Sequence, residues 1–529
     1  HREPFAADVS EGKNDPIYNA HSYHTKVPYK AIMRYILHYT NPGDIVFDGF
    51  CGTGMTGIAA QMCGCPDPEF KRKIEQEMPY IKWGTRKAVL NDLSPAATNI
   101  AYNYNTNMNL TKFKKEMHCI LQSCENELGW MYQTQHVDLN GKPIIGVDGS
   151  PVMGRINYTV WSDVFICPNC SSDIIYWDVA YDKTTNKIKD KFKCNKCGLI
   201  LNKRDCMHAT EKYYDNYIND TVLRNKQVPT MINYSVGNKR FNKTPDDFDL
   251  QTIEKVHYKF VGLSNDNMRV YPMMFIGGKD WGELCCPGYH LGITHVHHFY
   301  SERNYVMLHY LWNGLQDYHS KWAITAVLNY ICKKQSFTGG GGGMPGVLAI
   351  ASLVQEKNVI DVVSRKVDSI TKAFSKSLNN NGMAVIISTG SANDLPNIPD
   401  NSIDYIFIDP PFGRNIIYSE ANFLHEALLN VFTNNKSEAI ICRHQGKSLS
   451  EYQKLFTDCI TEFAKKLKGN RWMTIEFHNS KNSIWNAIQE AIMRAGLIIG
   501  DVRTLDKEQG SFKQVKEKGA VKQDLVISA

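Results

Sequence analysis

No apolar run in the chain approaches the roughly 18 residues a membrane span needs, and the opening His1-Arg2-Glu3-Pro4 lacks the apolar stretch of a secretory signal. No membrane association is expected. Neither charge sign dominates: 60 Lys and Arg stand against 54 Asp and Glu, a net +6. With 43% hydrophobic and 22% charged residues, this is the balance of a globular protein. Cysteine is not scarce, at 15, but without an export signal it points to reduced thiols and a metal site in a cytoplasmic protein, not to a disulfide framework. At 529 residues the chain exceeds the roughly 250 to 300 at which single cores stop growing, so two or three units are expected. It opens without Met and closes inside an apparent strand, Asp524 to Ala529, which leaves open that it is a fragment of something longer.

The charge is unevenly placed. Residues 183 to 243 carry 14 Lys and Arg against 5 Asp and Glu, a local basic field that suits a polyanion, although a solvated lysine-rich ribbon reads the same way. The same region holds Cys167-Pro168-Asn169-Cys170 and Cys194-Asn195-Lys196-Cys197, four thiolates at the spacing of a tetrahedral structural zinc. A redox role would use one such pair, not two. The ribbon they would clip together, about 160 to 205, reads as too small for a core of its own. Further on, Cys285, Cys286, His290, His295, His297 and His298 crowd one segment at spacings that match no common metal site. A structural or substrate-facing loop is expected there, with a second metal as the alternative. The run Gly339 to Gly343 reads either as a linker or as a loop that closes on a substrate backbone.

Two stretches have the pattern of an open α/β sheet. After an irregular arm (1 to 23) and a helical pattern from Tyr29 to Tyr39, the strand Asp44 to Phe47 runs into Asp48-Gly49-Phe50-Cys51-Gly52-Thr53-Gly54, followed by a helix from Thr56 to Met62. This loop is read as something other than the dinucleotide fingerprint, and no Gly-Lys-Ser/Thr comes after it, so phosphate cradling is disfavoured. The next strand, Ala88 to Asn91, ends on Asp92, placed either to grip ribose hydroxyls or to cap the helix after Pro95. A helix is expected from Thr111 to Gln135, and then short strands and turns. The α/β pattern resumes with a helix from Val359 to Leu378 and strands at 383–387, 403–408, 471–477, 497–502 and 525–527, with helices between them near 421–432, 449–467 and 484–495. Seven strands in one sheet, interrupted by one insertion, are expected.

The strand Ile403 to Ile408 stops at Asp409-Pro410-Pro411-Phe412. Ligands of open α/β sheets bind at such strand ends. A short, stiff loop there would offer a carboxylate, a carbonyl that no ladder needs and a flat ring, which suits a planar base with an exocyclic amine.

Taken together, these motifs resemble the amino-group DNA methyltransferases that use S-adenosylmethionine. Asp48 to Gly54 is similar to that family's cofactor motif, Asp409 to Phe412 to its catalytic motif, and His24-Thr25-Lys26-Val27-Pro28 to the segment that lines the methionine end of the cofactor. Within the family the chain looks closest to the zinc-ribbon-bearing, site-specific adenine methyltransferases, and residues 510–515 also look like theirs. The likeness covers 20 to 105 and 360 to 529 well, and the insertion loosely. It implies a seven-stranded Rossmann-like methyltransferase sheet split as 1–105 and 359–529 around an inserted target-recognition region, 106–358, scaffolded by the zinc ribbon. It implies that Asp48, Gly52 and Gly54, with Phe50, Cys51, His24, Thr25 and Lys26 around them, hold the amino-acid part of the cofactor. Asp92 would take the ribose, and Asn393 or Asp394 would lie near the adenine. Where many relatives have an acid just after the third strand's glycine, this chain has Ser391. Asp409, Pro410, Pro411 and Phe412 would act on the N6 amine of an adenine flipped out of double-stranded DNA. A restriction or defence-system partner is compatible with such an enzyme. N4-cytosine or RNA-base methylation is the alternative activity, and a non-catalytic DNA-binding protein of the same fold the alternative class. The Pro-Cys pair of carbon-5 cytosine enzymes is missing, and Cys167-Pro168 has the reverse order.

Overall fold

The computed structural model describes residues 3–7, 11–264, 291–338, 342–344, 348–375, 385–414, 416–477, 482–506 and 523–529. Cys285, Cys286, His290, residues 339–341 of the glycine run and residues 510–515 lie outside them. The chain divides into two compact units, His1–Leu110 with Ser369–Ala529, and Thr111–Asp368.

The first unit is built on a sheet of β1 (Ile45–Asp48), β2 (Lys87–Asp92), β3 (Val385–Thr389), β4 (Ile403–Ile408), β5 (Leu467–Phe477), β6 (Asp501–Asp506) and β7 (Gln523–Ser528), lying side by side in the order 3-2-1-4-5-7-6. The first five are parallel, and β7 runs antiparallel to both β5 and β6. Every residue of β4 is buried. A central parallel strand covered on both faces has no polar side, which is why it reads as an almost unbroken apolar run. Its single charge, Asp404, is paired with Lys468 at 2.7 Å and Arg471 at 3.2 Å, and accepts the Ile45 N–H at 3.0 Å. The chain steps outward from β1 to β3, then crosses to β4 on the other side of β1. That reversal opens a crevice at the carboxyl ends of β1 and β4.

Helices α1 (Tyr29–Tyr39), α2 (Met55–Met62), α3 (Pro95–Asn105), α4 (Leu449–Lys466) and α5 (Asn482–Arg494) accompany this sheet. On α4, Tyr452, Phe456, Ile460 and Phe463 recur at helical spacing and are buried in one cluster with Phe47, Ile406 and Met473 of the sheet. Full burial of such side chains contributes roughly 1.5–3 kcal/mol each. A capping box of Ser448 and Glu451 starts α4, and Leu467 leads straight from it into β5. The strand expected at 497–502 begins only at Asp501. The Gly496 backbone is left-handed (φ +78°), and the turn after α5 takes up Leu497 to Gly500.

The second unit differs more from expectation. The helix from Leu110 ends at Leu128, not Gln135: a 3-10 turn, Gly129–Tyr132, leads into a strand, Gln133–Gln135. Strands of two or three residues do follow between Asp173 and His208, as expected, but the chain also forms a nine-stranded sheet organised on one 14-residue strand, Met153–Ile166. Gln227–Val236 and Leu353–Lys357 pair antiparallel on either side of it. Its burial alternates only from Met153 to Asn157, and from Ser162 to Phe165 every residue is buried. The cysteine ribbon has no core separate from that sheet. Phe165, Ile174, Tyr176, Trp177, Phe192 and Leu201 are buried in one cluster with Val160, Met231, Phe337 and Leu353 of the large sheet. Gly342–Gly343 pair with Ser336–Phe337, so the described end of the glycine run is a sheet edge. Among the described residues no helix is long and apolar enough to cross a membrane.

Candidate active site

The carboxyl ends of β1, β2 and β4 bring Asp48, Asp92 and Asp409 to one cleft of about 920 Å³, open mouth included. Thr25, Lys26, Phe50, Cys51, Gly52 and Pro411 also line it. Of the remaining candidates, His24, Gly54, Asn393, Asp394, Pro410 and Phe412 are not among the lining residues. Ala392 stands on the wall in place of its two neighbours, and Asp394 is exposed.

Asp48 is 4% exposed. Burial pushes its carboxyl up to about 7, against hydrogen bonds from Thr56 Oγ1 at 2.6 Å and the Phe50 N–H at 3.1 Å, and Asp92 and Asp409 push the same way. Burial likewise lifts Asp92 to about 6, opposed by the N–H groups of Ser94 and Gly52, both at 2.9 Å, while Glu438 adds to the rise. Asp92 does not cap α3. Ser94 is the N-cap, with Pro95 behind it, so the two oxygens of Asp92 are left to tie the glycine loop to the β2 turn. Four carboxylates, Asp48, Asp92, Asp409 and Glu438, thus line a cleft whose lining holds one basic residue. That residue, Lys26, donates to the Tyr18 and His21 carbonyls and lies 4.3 Å from the Tyr18 ring centroid. A cation on the ligand would return the crowded acids to their ionised forms. A pyrophosphate would be repelled by them.

That charge pattern decides how to read the glycines. Gly52, Gly54 and Gly57 do have the Gly-x-Gly-x-x-Gly spacing, contrary to the sequence reading. Their packing explains the last two. Gly54 is left-handed (φ +73°), and a Cβ on it would meet Ala101 Cβ at 2.7 Å; one on Gly57 would meet Asn105 Oδ1 at 2.4 Å. Both serve the approach of α2 to α3, which is why Gly54 does not reach the cleft.

Phe412 is turned into the core, edge-on to Phe477 at 5.2 Å between centroids. The rings that line the cleft are those of Phe50, Phe407, Tyr23 and Tyr418, the last two lying 6.5 Å apart at 21°. Burial and the nearby Asp409 push the Tyr418 hydroxyl above its usual range, and Thr25 Oγ1 shares a hydrogen bond with it at 3.0 Å. Glu438 is held by the Ser419 N–H at 3.1 Å and Ser419 Oγ at 2.6 Å. Tyr418 and Glu438 belong to a segment beyond Phe412 that sequence reasoning left without a role.

Elsewhere, the Sγ atoms of Cys167, Cys170, Cys194 and Cys197 all lie within 4.8 Å of one another, with 3.6 Å between Cys167 and Cys197 and 3.7 Å between Cys170 and Cys194. A tetrahedral zinc with sulfur bonds of about 2.3 Å has edges of about 3.8 Å, so these thiols could hold one. Asp215, His297 and His298 form a second group. His298 Nδ1, however, accepts from the backbone N–H groups of Thr294 at 3.1 Å and His295 at 3.2 Å, which leaves the proton on Nε2 for Asp215 at 2.7 Å. A metal ligand needs that nitrogen bare. The trio has the chemistry of a hydrogen-bonded strut.

Residues 6–65, which include most of the arm, α1, β1 and the glycine loop, match a family model described as DNA methylase. No curated protein matches the chain. Solved structures that match include one described as an antibiotic related methyltransferase, at 19% identity and a TM-score of 0.17, over 28% of this chain and 61% of that one. The chain therefore spans less than two thirds of that relative's length.

Proposed function

We propose that the protein is a DNA methyltransferase that uses S-adenosylmethionine to methylate the N6 amine of an adenine flipped out of the duplex. The observation that carries this reading is the meeting of Asp48, Asp92 and Asp409 from three strand ends in one cleft, with parallel tyrosine rings on its wall. The DNA methylase match over the glycine-loop segment supports it.

When bound, the cofactor supplies a methyl group on a positively charged sulfur. Asp48, Gly52 and Asp92 would hold its cationic and ribose parts, consistent with buried acids whose pKa values are raised for want of a counter-charge. An exocyclic amine is a poor nucleophile because its lone pair is delocalised into the ring. The Asp409 carboxylate and the Pro410 carbonyl would accept its two N–H bonds, draw the nitrogen toward tetrahedral geometry, and Asp409 would take the proton that the methylated nitrogen sheds. Tyr418, rather than Phe412, would stack on the base. The reactants need to be held in line at roughly 3–3.5 Å. Flipping costs a few kcal/mol, which contacts from residues 106–358, scaffolded by a zinc at the four cysteines, would offset.

Incubation with labelled S-adenosylmethionine and mixed-sequence duplex DNA, digestion to nucleosides and identification of the product tests this, with Asp409→Ala alongside. N6-methyladenine that disappears in the variant is expected. N4-methylcytosine would keep the mechanism and change the target, and no methylated nucleoside from DNA would overturn the proposal.

A further inference from the structure

The second unit contains a cavity of about 1700 Å³, mouth included, to none of whose lining residues the methylation reading gives an individual role. Trp161 and Asp163 of the long central strand and Val354 and Glu356 beside it form one wall. The hairpin of Thr210–Asp215 and Asp220–Asn225 supplies Glu211, Tyr213 and Arg224, and the helix Asp247–Gly262 supplies Leu250, Ile253 and His257.

Every charged side chain on this wall but one already has a hydrogen-bond or ion-pair partner, a neutral hydroxyl in the case of Glu254. Asp163 accepts from Gln227 at 2.8 Å and faces His208 at 3.2 Å. Glu211 holds Arg224 at 2.8 Å, and the Arg224 guanidinium lies 3.9 Å from the Tyr213 ring centroid. Glu302 holds His257 at 3.1 Å. Glu356 accepts from Trp161 Nε1 at 3.0 Å and pairs with Arg303 at 3.3 Å. Glu254 accepts from the Tyr258 hydroxyl at 3.3 Å.

Lys333 is the exception. It lies just past the short helix Leu328–Ile331, its own N–H donating to the Phe299 carbonyl at 2.6 Å, and it lines the cavity. Among the described residues nothing accepts a hydrogen bond from its ammonium. Burial pushes it down to about 8, and Arg224 lowers it further, while Glu302, Glu356 and Asp163 work the other way. A desolvated cation facing a second cation is unfavourable in the empty cavity, and an anion near both relieves it. The surrounding Trp161, Val354, Leu250 and Ile253 offer apolar surface for the rest of such a molecule.

We propose that this cavity is a binding site for an anion carried on an apolar or aromatic body, with Lys333 and Arg224 taking the anionic group. A free nucleotide and a nucleotide of a nucleic-acid strand share that chemistry.

Pyridoxal 5′-phosphate, an aromatic aldehyde with a phosphate, is the probe. Its aldehyde condenses with an unprotonated amine, water leaves, and borohydride reduces the imine to a stable secondary amine that peptide mapping locates. On the intact chain at pH 7.5, Lys333 is expected to label at least about ten times faster than surface lysines, because more of it is unprotonated and the phosphate is drawn in. Protection by 5′-AMP supports a free small-molecule ligand. Protection by a short single-stranded oligonucleotide alone supports a strand. Labelling no faster than at the surface, or fast labelling that neither competitor slows, overturns the site. No substituted protein is needed, and the methylation assay reads a different cleft, so either proposal can fail alone.

Discussion

Replacing Asp48 by Asn is expected to stabilise the ligand-free protein above pH 7 while removing a cofactor contact. The folded pKa of about 7 lies roughly three units above the ordinary 3.8, because the carboxyl is buried beside two other acids. An acid whose pKa rises on folding binds more protons folded than unfolded between the two values. Folding stability therefore falls as pH climbs from about 4 to about 7, and the full cost is present above 7. At 1.36 kcal/mol per unit that cost is on the order of 4 kcal/mol. Asn keeps one acceptor oxygen for the two donors, Thr56 Oγ1 and the Phe50 N–H, and losing one such bond returns about 1–2 kcal/mol. The variant's net gain at pH 8 is therefore about 2–3 kcal/mol. Denaturant midpoints of both proteins at pH 5, 6, 7 and 8 measure it. Taking the difference cancels titrations that do not couple to Asp48, among them His298 and His319, lowered to about 4, but not that of Asp92, which interacts with it. The variant's advantage should grow with pH and level off above 7, and calorimetric titration at pH 8 should show that S-adenosylmethionine no longer binds. A difference that stays flat from pH 5 to 8 would refute the buried, crowded carboxyl on which the cofactor argument rests.

Tyr418→Ala should lower kcat/KM by about 5- to 150-fold, since base stacking on an aromatic ring is worth about 1–3 kcal/mol, with a smaller loss of folding stability than Phe412→Ala, which should destabilise the fold by about 3–5 kcal/mol as a core deletion; steady-state kinetics and thermal melts separate the two. Gly54→Ala should cost about 2–4 kcal/mol, combining left-handed backbone strain with the 2.7 Å approach to Ala101, and chemical denaturation reads it. Elemental analysis should find one zinc per chain, and Cys194→Ser should lose it and make residues 160–205 the first site of limited proteolysis.

The parts of this protein most legible in sequence are those where a single residue breaks a pattern. Asp48 follows Val46 and Phe47, and Asp409 follows Ile406, Phe407 and Ile408, so each acid stands out against the buried apolar residues just before it. Four cysteines at fixed spacing are visible for the same reason. The long strand Met153–Ile166 was obscured because it carries Asn157, Thr159, Ser162 and Asp163 on a strand that several partners pair with, and that mixture mimics turns. Phe412 was misplaced because a strand end does not show which way the chain turns after two prolines. The cleft needs a ring near Asp409, but the sequence does not say which one.

Tyr418 and Glu438 had no local signal at all. They reach the cleft because the segment beyond Phe412 is tied back onto the β2 loop, with Glu426 accepting from Ser94 Oγ at 2.7 Å and from Thr433 Oγ1 at 2.6 Å, and Asn422 donating to Ser94 Oγ at 2.9 Å and to the Tyr23 hydroxyl at 3.1 Å. Ser94, two residues after Asp92, is one point where the two halves of this unit meet, besides the strand pairs β1–β4 and β2–β3. It caps α3 with the same oxygen that Asn422 reaches, so the position of Tyr418 depends on a helix cap more than 300 residues away in sequence. If that knot holds the stacking ring, Ser94→Ala should lower methylation through Tyr418 while cofactor affinity, which we propose rests on Asp48 and Asp92, stays within a few-fold of the parent; equal losses in both would place Ser94 with Asp92 instead.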